Sequence, residues 1–521
     1  MSDLEGAAMS IPDITLSNEL IPFVRTRRAV IDIGSNSVRL VIYGGSLRTP
    51  LTIYNEKTLC GLGRREPETG FLRPEAMAEA LATLTRFAQV LKTSGKMPVV
   101  TFATAATRDA PNGAEFLKQV KKLGFKPRLL SGDEEALMAA SGVYSGTPEV
   151  IYPAQEARPN LCGDMGGGSL ELVRFGTDTN HPFQERISLP LGPLSIISAC
   201  GLEVAAGVAF AQSQLDNVPW LTQMKTDGLF AVGGAWRAIA RVHMASHNYP
   251  LSVLHHYTIT REEMVQICAL MERQSFQSLI QMPGIETLRA ETIPHAAMVL
   301  RLLLERIEAK RFVVSACGVR EGMLYQEQSL AVQKTHPFLD LARTYANRMA
   351  PDPDFGHSCV KVSEGLFTDE THYQRKIRHA ACLMVDVAAL GHPDMRDDQA
   401  CDIVLRCPFT GIDHPGRLAL AAALYQRHRG RPAKLPKRIC GHLLGEDLAQ
   451  RAMSIGLVLR FLADLSPKAS RGLEGCSFER NNEAITFGMP KKNAGLFGRV
   501  AEKRLATLAG FLQLNHQVVF E

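Results

Sequence analysis

The 521-residue chain predicts a duplicated α/β fold followed by a mostly helical C-terminal part. Three observations carry that expectation. A motif occurs twice, as IDIGSNSVRLVIY at 31–43 and GDMGGGSLELVRF at 163–175. Strand-like and helix-like segments alternate after each copy. Beyond about residue 330 the pattern changes to helical runs separated by Pro/Gly-rich loops. The expected organisation is a flexible leader over 1–25, one α/β half over 26–148, a second over 149–330, and a helical domain over 331–521.

In the doubled motif Asp32 matches Asp164, Gly34 matches Gly166, Ser37 matches Ser169, and Arg39 stands where the second copy has Glu171. Each copy is a Gly/Ser/Asp loop followed by β-type apolar residues, which predicts strand, tight turn, strand. Successive N–H groups in such a turn form an anion-binding nest, and glycine lets the backbone approach an oxyanion closely. An ordinary hairpin explains either copy alone. Two copies sharing Asp, Gly and Ser in register point to a pair of clamps facing each other across a cleft.

After the first copy, Pro74–Gly95 has helical periodicity and is stopped by Gly95. MPVVTFATAAT (97–107) reads as a buried strand entering a polar loop. Asn112–Leu123 reads as a helix stopped at Gly124, and KPRLL (126–130) as another strand. After the second copy, FAVGGAWRAIARV (230–242) and RFVVSACGVREGMLY (311–325) each read as strand, turn, helix. Helices are expected over Leu339–Met349, Tyr373–Leu390, Gly416–His428 and Asp447–Leu465, and short strands over 476–488 and 516–520.

Composition narrows the class. Apolar content is 45% and charged content 21%, ordinary for a globular protein. No stretch approaches the roughly 20 apolar residues of a membrane span, and the acidic N-terminus does not read as a signal peptide. The 11 cysteines are scattered without a CxxC pair, which suggests free thiols in the cytoplasm. Neither nucleic acid nor a membrane is an expected partner. Of the net charge of +5, the excess lies in residues 331–521, with 26 Lys/Arg against 20 Asp/Glu. Its densest run, RHRGRPAKLPKR (427–438), reads as a solvated loop or helix end, although positive potential beside a phosphate site would concentrate an anionic substrate.

Four groups of residues suit phosphate chemistry. SGDEEA (131–136) fits a capping box at a helix start, with Ser131 and Glu134 as its members. Glu135 then either complements the helix dipole or serves as general base for an attacking water. ATAATRDA (103–110) places Thr104, Thr107 and Arg108 in a loop, and a guanidinium binds phosphate in bidentate fashion. Arg39 and Arg320 follow the loops of the first clamp and of the SACG turn. Asp164 and Glu171, with Asp32 from the opposite side, are hard carboxylates suited to Mg²⁺.

These motifs, in this order, resemble the exopolyphosphatase / guanosine pentaphosphate phosphohydrolase (Ppx/GppA) family of the actin-like ATPase-fold superfamily. The matching segments are IDIGSNSVRL, ATAATRDA, SGDEEA, DMGGGSLEL, AVGG and CGVREGMLY, and they cover 28–326. The resemblance implies duplicated actin-like (ribonuclease H-like) domains and hydrolysis of a terminal phosphoanhydride of inorganic polyphosphate. The alternative substrate is the 5′ end of pppGpp. By position it implies Glu135 as the base that activates water and Asp164, Glu171 and Asp32 as metal-associated carboxylates. The phosphate cradle would comprise Ser35, Asn36, Ser37, Arg39, Thr107, Arg108, Gly166, Gly167, Gly168, Ser169 and Arg320. Mg²⁺, with K⁺ as a candidate second cation, and a homodimer belong to the same expectation.

The family's third domain resembles a His-Asp phosphohydrolase helical fold. Here RHAACLMVDVAAL (378–390) has Met384 and Val385 where a His-Asp pair is expected, with Asp386, His379, His392 and His428 nearby. A degenerate fold without a second metal site, serving chain binding or dimerisation, is therefore expected. An actin-fold kinase is the rival enzyme reading, with Trp236 and Arg237 covering a purine. A filament-forming or sensory protein is the non-enzyme rival.

Overall fold

A computed structural model describes residues 27–66, 68–148, 158–176, 181–439 and 443–521. The leader expected over 1–25 lies outside them. Two mixed sheets have the same topology. In the first, β1 (Arg28–Ile33), β2 (Val38–Gly45), β3 (Pro50–Thr58), β4 (Val99–Ala103) and β5 (Pro127–Leu129) lie in the order β3-β2-β1-β4-β5. The second uses β6 (Asn160–Met165), β7 (Leu170–Phe175), β8 (Phe183–Leu189), β10 (Leu229–Val232) and β13 (Arg311–Val314). They run β8-β7-β6-β10-β13, with β11 (Thr258–Thr260) added at the edge. The short strands β9 (Lys225–Thr226) and β12 (Glu308–Ala309) pair separately.

In each sheet the first three strands are antiparallel and the remaining two core strands parallel. The doubled motif occupies the same place in both. Asp32 pairs with Arg39 across β1/β2, and Asp164 with Glu171 across β6/β7.

β1 reads RAVIDI because both of its faces are covered. Ala29, Ile31 and Ile33 pack with the helix Pro74–Ser94, and Val30 packs on the opposite side. That helix ends at Gly95, whose φ of 89° suits glycine. The helices Gly132–Gly146 and Val319–Gln326 are exchanged between the sheets. Ala136, Ala139, Ala140 and Val143 pack against Cys162, Val173, Phe175 and Phe230 of the second sheet. Met323 and Leu324 pack against Val30, Val41 and Phe102 of the first. The two helices cross backbone to backbone. A Cβ on Gly322 would lie 1.8 Å from the Met138 carbonyl oxygen, and one on Gly142 would lie 2.1 Å from that of Gly318.

The helical C-terminal region comprises Pro337–Met349, Pro353–Ser363, His372–Leu383, Arg396–Arg406, His414–Arg427, Glu446–Leu465 and Arg499–Leu512. A three-stranded sheet completes it, from β14 (Ser477–Arg480), β15 (Ala484–Met489) and β16 (Asn515–Phe520). The helix expected to reach Leu390 ends at Leu383. Turns with i→i+3 bonds follow, such as Val385 N to Cys382 O at 3.2 Å and Val387 N to Met384 O at 3.0 Å. Asp386 is buried there and ion-paired with Arg427 at 3.0 Å and Lys468 at 3.5 Å. The basic run is the expected helix end and loop, with Arg429, Arg431, Lys434 and Lys437 exposed. Arg427 is buried, while Arg429 pairs with Asp397 and Arg438 with Asp398.

All ten cysteines among the described residues are free, nine of them buried. No single helix among those residues is long and apolar enough to cross a membrane.

The C-terminal region docks on the α/β part through buried polar contacts. His414 Nε2 meets the His255 carbonyl at 3.0 Å, Tyr249 Oη meets His414 Nδ1 at 2.8 Å, and Gly411 N donates to Gly146 O at 2.9 Å. Burial lowers His256 to about 3 and His414 to about 4. These imidazoles stay neutral in the fold, whereas the unfolded chain protonates its own below about pH 6.5. Stability linked to each histidine is therefore complete above that pH. It falls by about 1.4 kcal/mol per pH unit as the pH drops toward the folded values. The stability gap between wild type and His414→Gln is expected to shrink by that slope between pH 6.5 and 4.5 in denaturant titrations. A pH-independent gap would remove His414 from the linkage.

Candidate functional site

The two clamps close on each other. In the first, Gly34 N donates to Ser37 O at 3.0 Å, and in the second Gly166 N donates to Ser169 O at the same distance. The loops approach closely: a Cβ on Gly168 would sit 2.9 Å from Ser35 Oγ, and one on Gly167 would sit 3.4 Å from the Cβ of Asn36. Neighbouring segments take up the clamp carbonyls: Gly63 N bonds Ser35 O at 2.7 Å, Leu194 N bonds Gly167 O at 2.9 Å, and Ser195 Oγ bonds Gly168 O at 2.6 Å. Among the described residues, the amides of Ser35, Asn36, Gly167 and Gly168 have no backbone acceptor. Unpartnered amides at successive turn positions are what an anion-binding nest is built from.

A cleft of about 210 Å³ opens between the clamps. Its lining includes Ser35, Asn36, Ser37, Arg39, Gly166, Gly167, Gly168, Ser169, Arg320, Asp32, Asp164, Glu171 and Glu135. Two expected cradle residues are not in that lining. ATAATRDA is not a loop: Thr104 precedes the helical turn Ala105–Arg108, because Ala-Ala-Thr-Arg contains nothing to oppose a helix. Thr104 consequently lines the cleft, while Thr107 is buried behind it. Arg108 turns to Glu135 instead, with NH1 3.2 Å from Oε2.

Of the two readings of SGDEEA, the capping box is present as expected. Ser131 and Glu134 form a capping box, Ser131 Oγ accepting from Glu134 N at 3.1 Å and Glu134 Oε2 accepting from Ser131 N at 2.9 Å. Glu135 is left to project into the cleft, 8% exposed. Burial raises its carboxyl to about 7, with Arg108 opposing the rise and Asp164 adding to it.

Burial also raises Asp164 to about 6, against the pull of Arg237. Glu171 is held well above the usual carboxylate range by burial and by Glu135 and Asp164, while Ser188 Oγ donates to its Oε1 at 2.8 Å. Asp32 is raised by burial despite Arg320 and Arg39, and it accepts from Arg320 NH1 at 3.1 Å. Four crowded carboxylates with raised pKa values form a hard-oxygen set that a divalent cation would relieve.

The opposite wall has the converse strain. Lys57 is lowered to about 8 by burial and by Arg289, and Arg237 to about 10 by burial and by Arg320, Arg39 and Arg289. Crowded cations of this kind are relieved by an anion. Sequence reasoning did not pick out Lys57 or Arg289 as site residues. Lys57 reaches the cleft as the cross-strand partner of Arg39 on the β2/β3 pair, and Arg289 from a segment with no motif. Arg237 was noticed only for a purine site. Its neighbour Trp236 is fully buried with Nε1 donating to Ala296 O at 3.0 Å, so it cannot cover a purine.

Residues 28–330 match the Ppx/GppA phosphatase family, and residues 357–518 match the family described as exopolyphosphatase, C-terminal. The chain is 25% identical over 314 residues to Exopolyphosphatase 1 of Mycobacterium tuberculosis, a match spanning 58% of this chain and 88% of that protein. It is 24% identical over 306 residues to the bifunctional 3-dehydroquinate synthase/phosphatase of Fusobacterium nucleatum, spanning 55% of this chain and 44% of that one. Among solved structures, an exopolyphosphatase from Cytophaga hutchinsonii superposes with a TM-score of 0.51 at 23% identity, covering 58% of this chain and 97% of the other.

Proposed function

The chain belongs to the Ppx/GppA phosphatase family, and from that premise we propose that it is an exopolyphosphatase, releasing orthophosphate from the end of inorganic polyphosphate. The observation that carries this reading is the bipolar cleft. Its cationic wall and clamp amides want a polyanion, and its carboxylates want a cation. A phosphate chain with an associated metal ion supplies both.

Glu135 takes the proton of a water molecule whose oxygen attacks the terminal phosphorus. The bridging P–O bond breaks, and the chain departs one phosphate shorter. Arg108 positions Glu135 through their ion pair, rather than binding the chain. The amides of Ser35, Asn36, Gly167 and Gly168, with Ser37, Ser169, Arg39 and Arg320, neutralise the phosphate oxygens, and Lys57, Arg237 and Arg289 extend that role along the cleft. Such a reaction depends mostly on positioning and charge stabilisation. Asp164 and Glu171, with Asp32, would hold Mg²⁺, which supplies further neutralisation of phosphate charge.

Activity is expected to rise with pH as Glu135 ionises. A cation beside Asp164 and Glu171 favours that ionisation, so the acid limb of kcat/KM should move to lower pH as Mg²⁺ is raised. A limb that stays in place would separate the carboxylate cluster from the base.

The decisive measurement is orthophosphate release under Mg²⁺ from long polyphosphate, short polyphosphate and pppGpp, with ATP lacking an acceptor as control. Release from polyphosphate supports the proposal. Release from pppGpp alone transfers it to the pentaphosphate substrate, and no release from either overturns it. Three finer points belong to the same proposal: a cytoplasmic location, supported by the free cysteines, a homodimer, and K⁺ as a second cation. A degenerate His-Asp phosphohydrolase fold for the helical region is supported by Asp386, whose carboxylate is committed to Arg427 and Lys468.

A further inference from the structure

The helix Gly234–Ser246 starts at the cleft, where Gly234 and Arg237 line the wall, and its far end carries His243, with His247 just beyond. The spacing of four puts both imidazoles on one side of the helix axis, stacked with ring centroids 4.1 Å apart. Glu263 comes to the same place from the start of the helix Arg261–Glu272. One ligand atom from each of the three lies within 4.8 Å of the other two.

The hydrogen bonds around this cluster leave those atoms available. His247 Nδ1 lies 2.9 Å from the His243 carbonyl, which can only accept, so Nδ1 carries the proton and Nε2 of the neutral ring presents its lone pair. His243 Nδ1 lies 2.8 Å from Tyr257 Oη. Its Nε2 is buried without a hydrogen-bond partner, in a residue only 6% exposed. Glu263 caps the helix through Oε2 alone, which accepts from Thr260 N at 3.1 Å and from Thr260 Oγ1 at 2.7 Å. Histidines whose second nitrogen is held by a carbonyl or a hydroxyl are oriented as metal ligands are.

We propose that His243, His247 and Glu263 form a second metal site, selective for a divalent transition metal of the Zn²⁺ class. Two imidazole nitrogens and one carboxylate suit Zn²⁺. The cleft offers only hard oxygens and suits Mg²⁺, so donor chemistry sorts the two metals between two places. An ion here clasps the end of the helix that carries Arg237 to the turn Thr260–Glu263, at the edge strand β11. Its role is structural, away from the reacting phosphate.

The test uses the full chain, stripped with a chelator and titrated with Co²⁺ and then Zn²⁺ under saturating Mg²⁺. The readouts are the visible absorption of ligated Co²⁺ and the thermal unfolding midpoint. One equivalent of Co²⁺ should bind, give nitrogen/oxygen-type bands and be displaced by Zn²⁺, with the midpoint rising on loading. His247→Ala, at an exposed position, should lose the bands and the rise while keeping its far-UV circular dichroism. Glu263→Gln, which keeps the capping geometry, should bind more weakly because an amide replaces a carboxylate ligand. Equal Co²⁺ binding by wild type and His247→Ala overturns the proposal. So does binding that survives His247→Ala and disappears in Asp164→Asn, which would place the ion in the cleft.

Discussion

Glu135→Gln is expected to lower kcat for orthophosphate release by about 10²–10⁴-fold, the usual contribution of a positioned general base. Polyphosphate binding should be nearly unchanged, because the nest amides and arginines are untouched. The amide oxygen of Gln still accepts from the Arg108 guanidinium, so the ion pair of 3.2 Å becomes a hydrogen bond from a charged donor to a neutral acceptor rather than a gap. Stability at neutral pH should rise slightly. Burial lifts the Glu135 carboxyl to about 7, meaning that the fold disfavours its anion, and Gln removes that anion beside Asp164 and Glu171. Single-turnover phosphate release, filter binding of polyphosphate and the thermal midpoint together test the assignment. Near-normal turnover would remove Glu135 from the role of base.

Gly322→Ala should cost more than its one methyl group suggests. Its Cβ would lie 1.8 Å from the Met138 carbonyl and 2.9 Å from Gly142 N, both rigid backbone atoms. The helices Gly132–Gly146 and Val319–Gln326 must separate to admit it, at a cost on the order of 1–3 kcal/mol or more. One of these helices carries Glu135 and the other Arg320, so separation also misplaces the base relative to the phosphate. A displacement of about 1 Å in such a site lowers turnover by roughly 10²-fold. Gly510→Ala provides the contrast. It lies in an exposed helical turn with nothing within 4 Å of the added Cβ, and should stabilise the protein by about 0.4–1 kcal/mol. Urea midpoints and kcat for both variants decide the matter. Wild-type stability in Gly322→Ala would refute the close crossing.

The clamps were legible in the sequence because their demands are local. A tight turn between two β-rich runs needs Gly and Ser at fixed places, so Gly34–Ser37 and Gly166–Ser169 are written in the chain itself. Glu135 was nominated through its position in SGDEEA, a local motif whose Ser131 and Glu134 form the capping box. Lys57 and Arg289 were not legible, since each reaches the cleft from a segment with no motif. Arg108 was misassigned because a guanidinium after a strand looks the same whether it meets phosphate or a glutamate. In the helical region, the helix Pro353–Ser363 is not among those expected; Pro353 stands at its first position, capped by Asp352, where proline's fixed φ is favourable. Helices at Arg396–Arg406 and Arg499–Leu512 were passed over with it.

The exchanged helices carry a consequence for how the α/β part exists at all. One face of each sheet is covered by a helix from the other half of the chain, so neither half could bury that face alone. Such an arrangement has the geometry of a domain swap between two halves of one chain. It also fits the protein for fragment complementation. Polypeptides 27–148 and 158–521, produced separately, should remain incompletely folded, then assemble on mixing into one particle with a working cleft. Phosphate release that returns only on mixing would be the functional trace of that exchange.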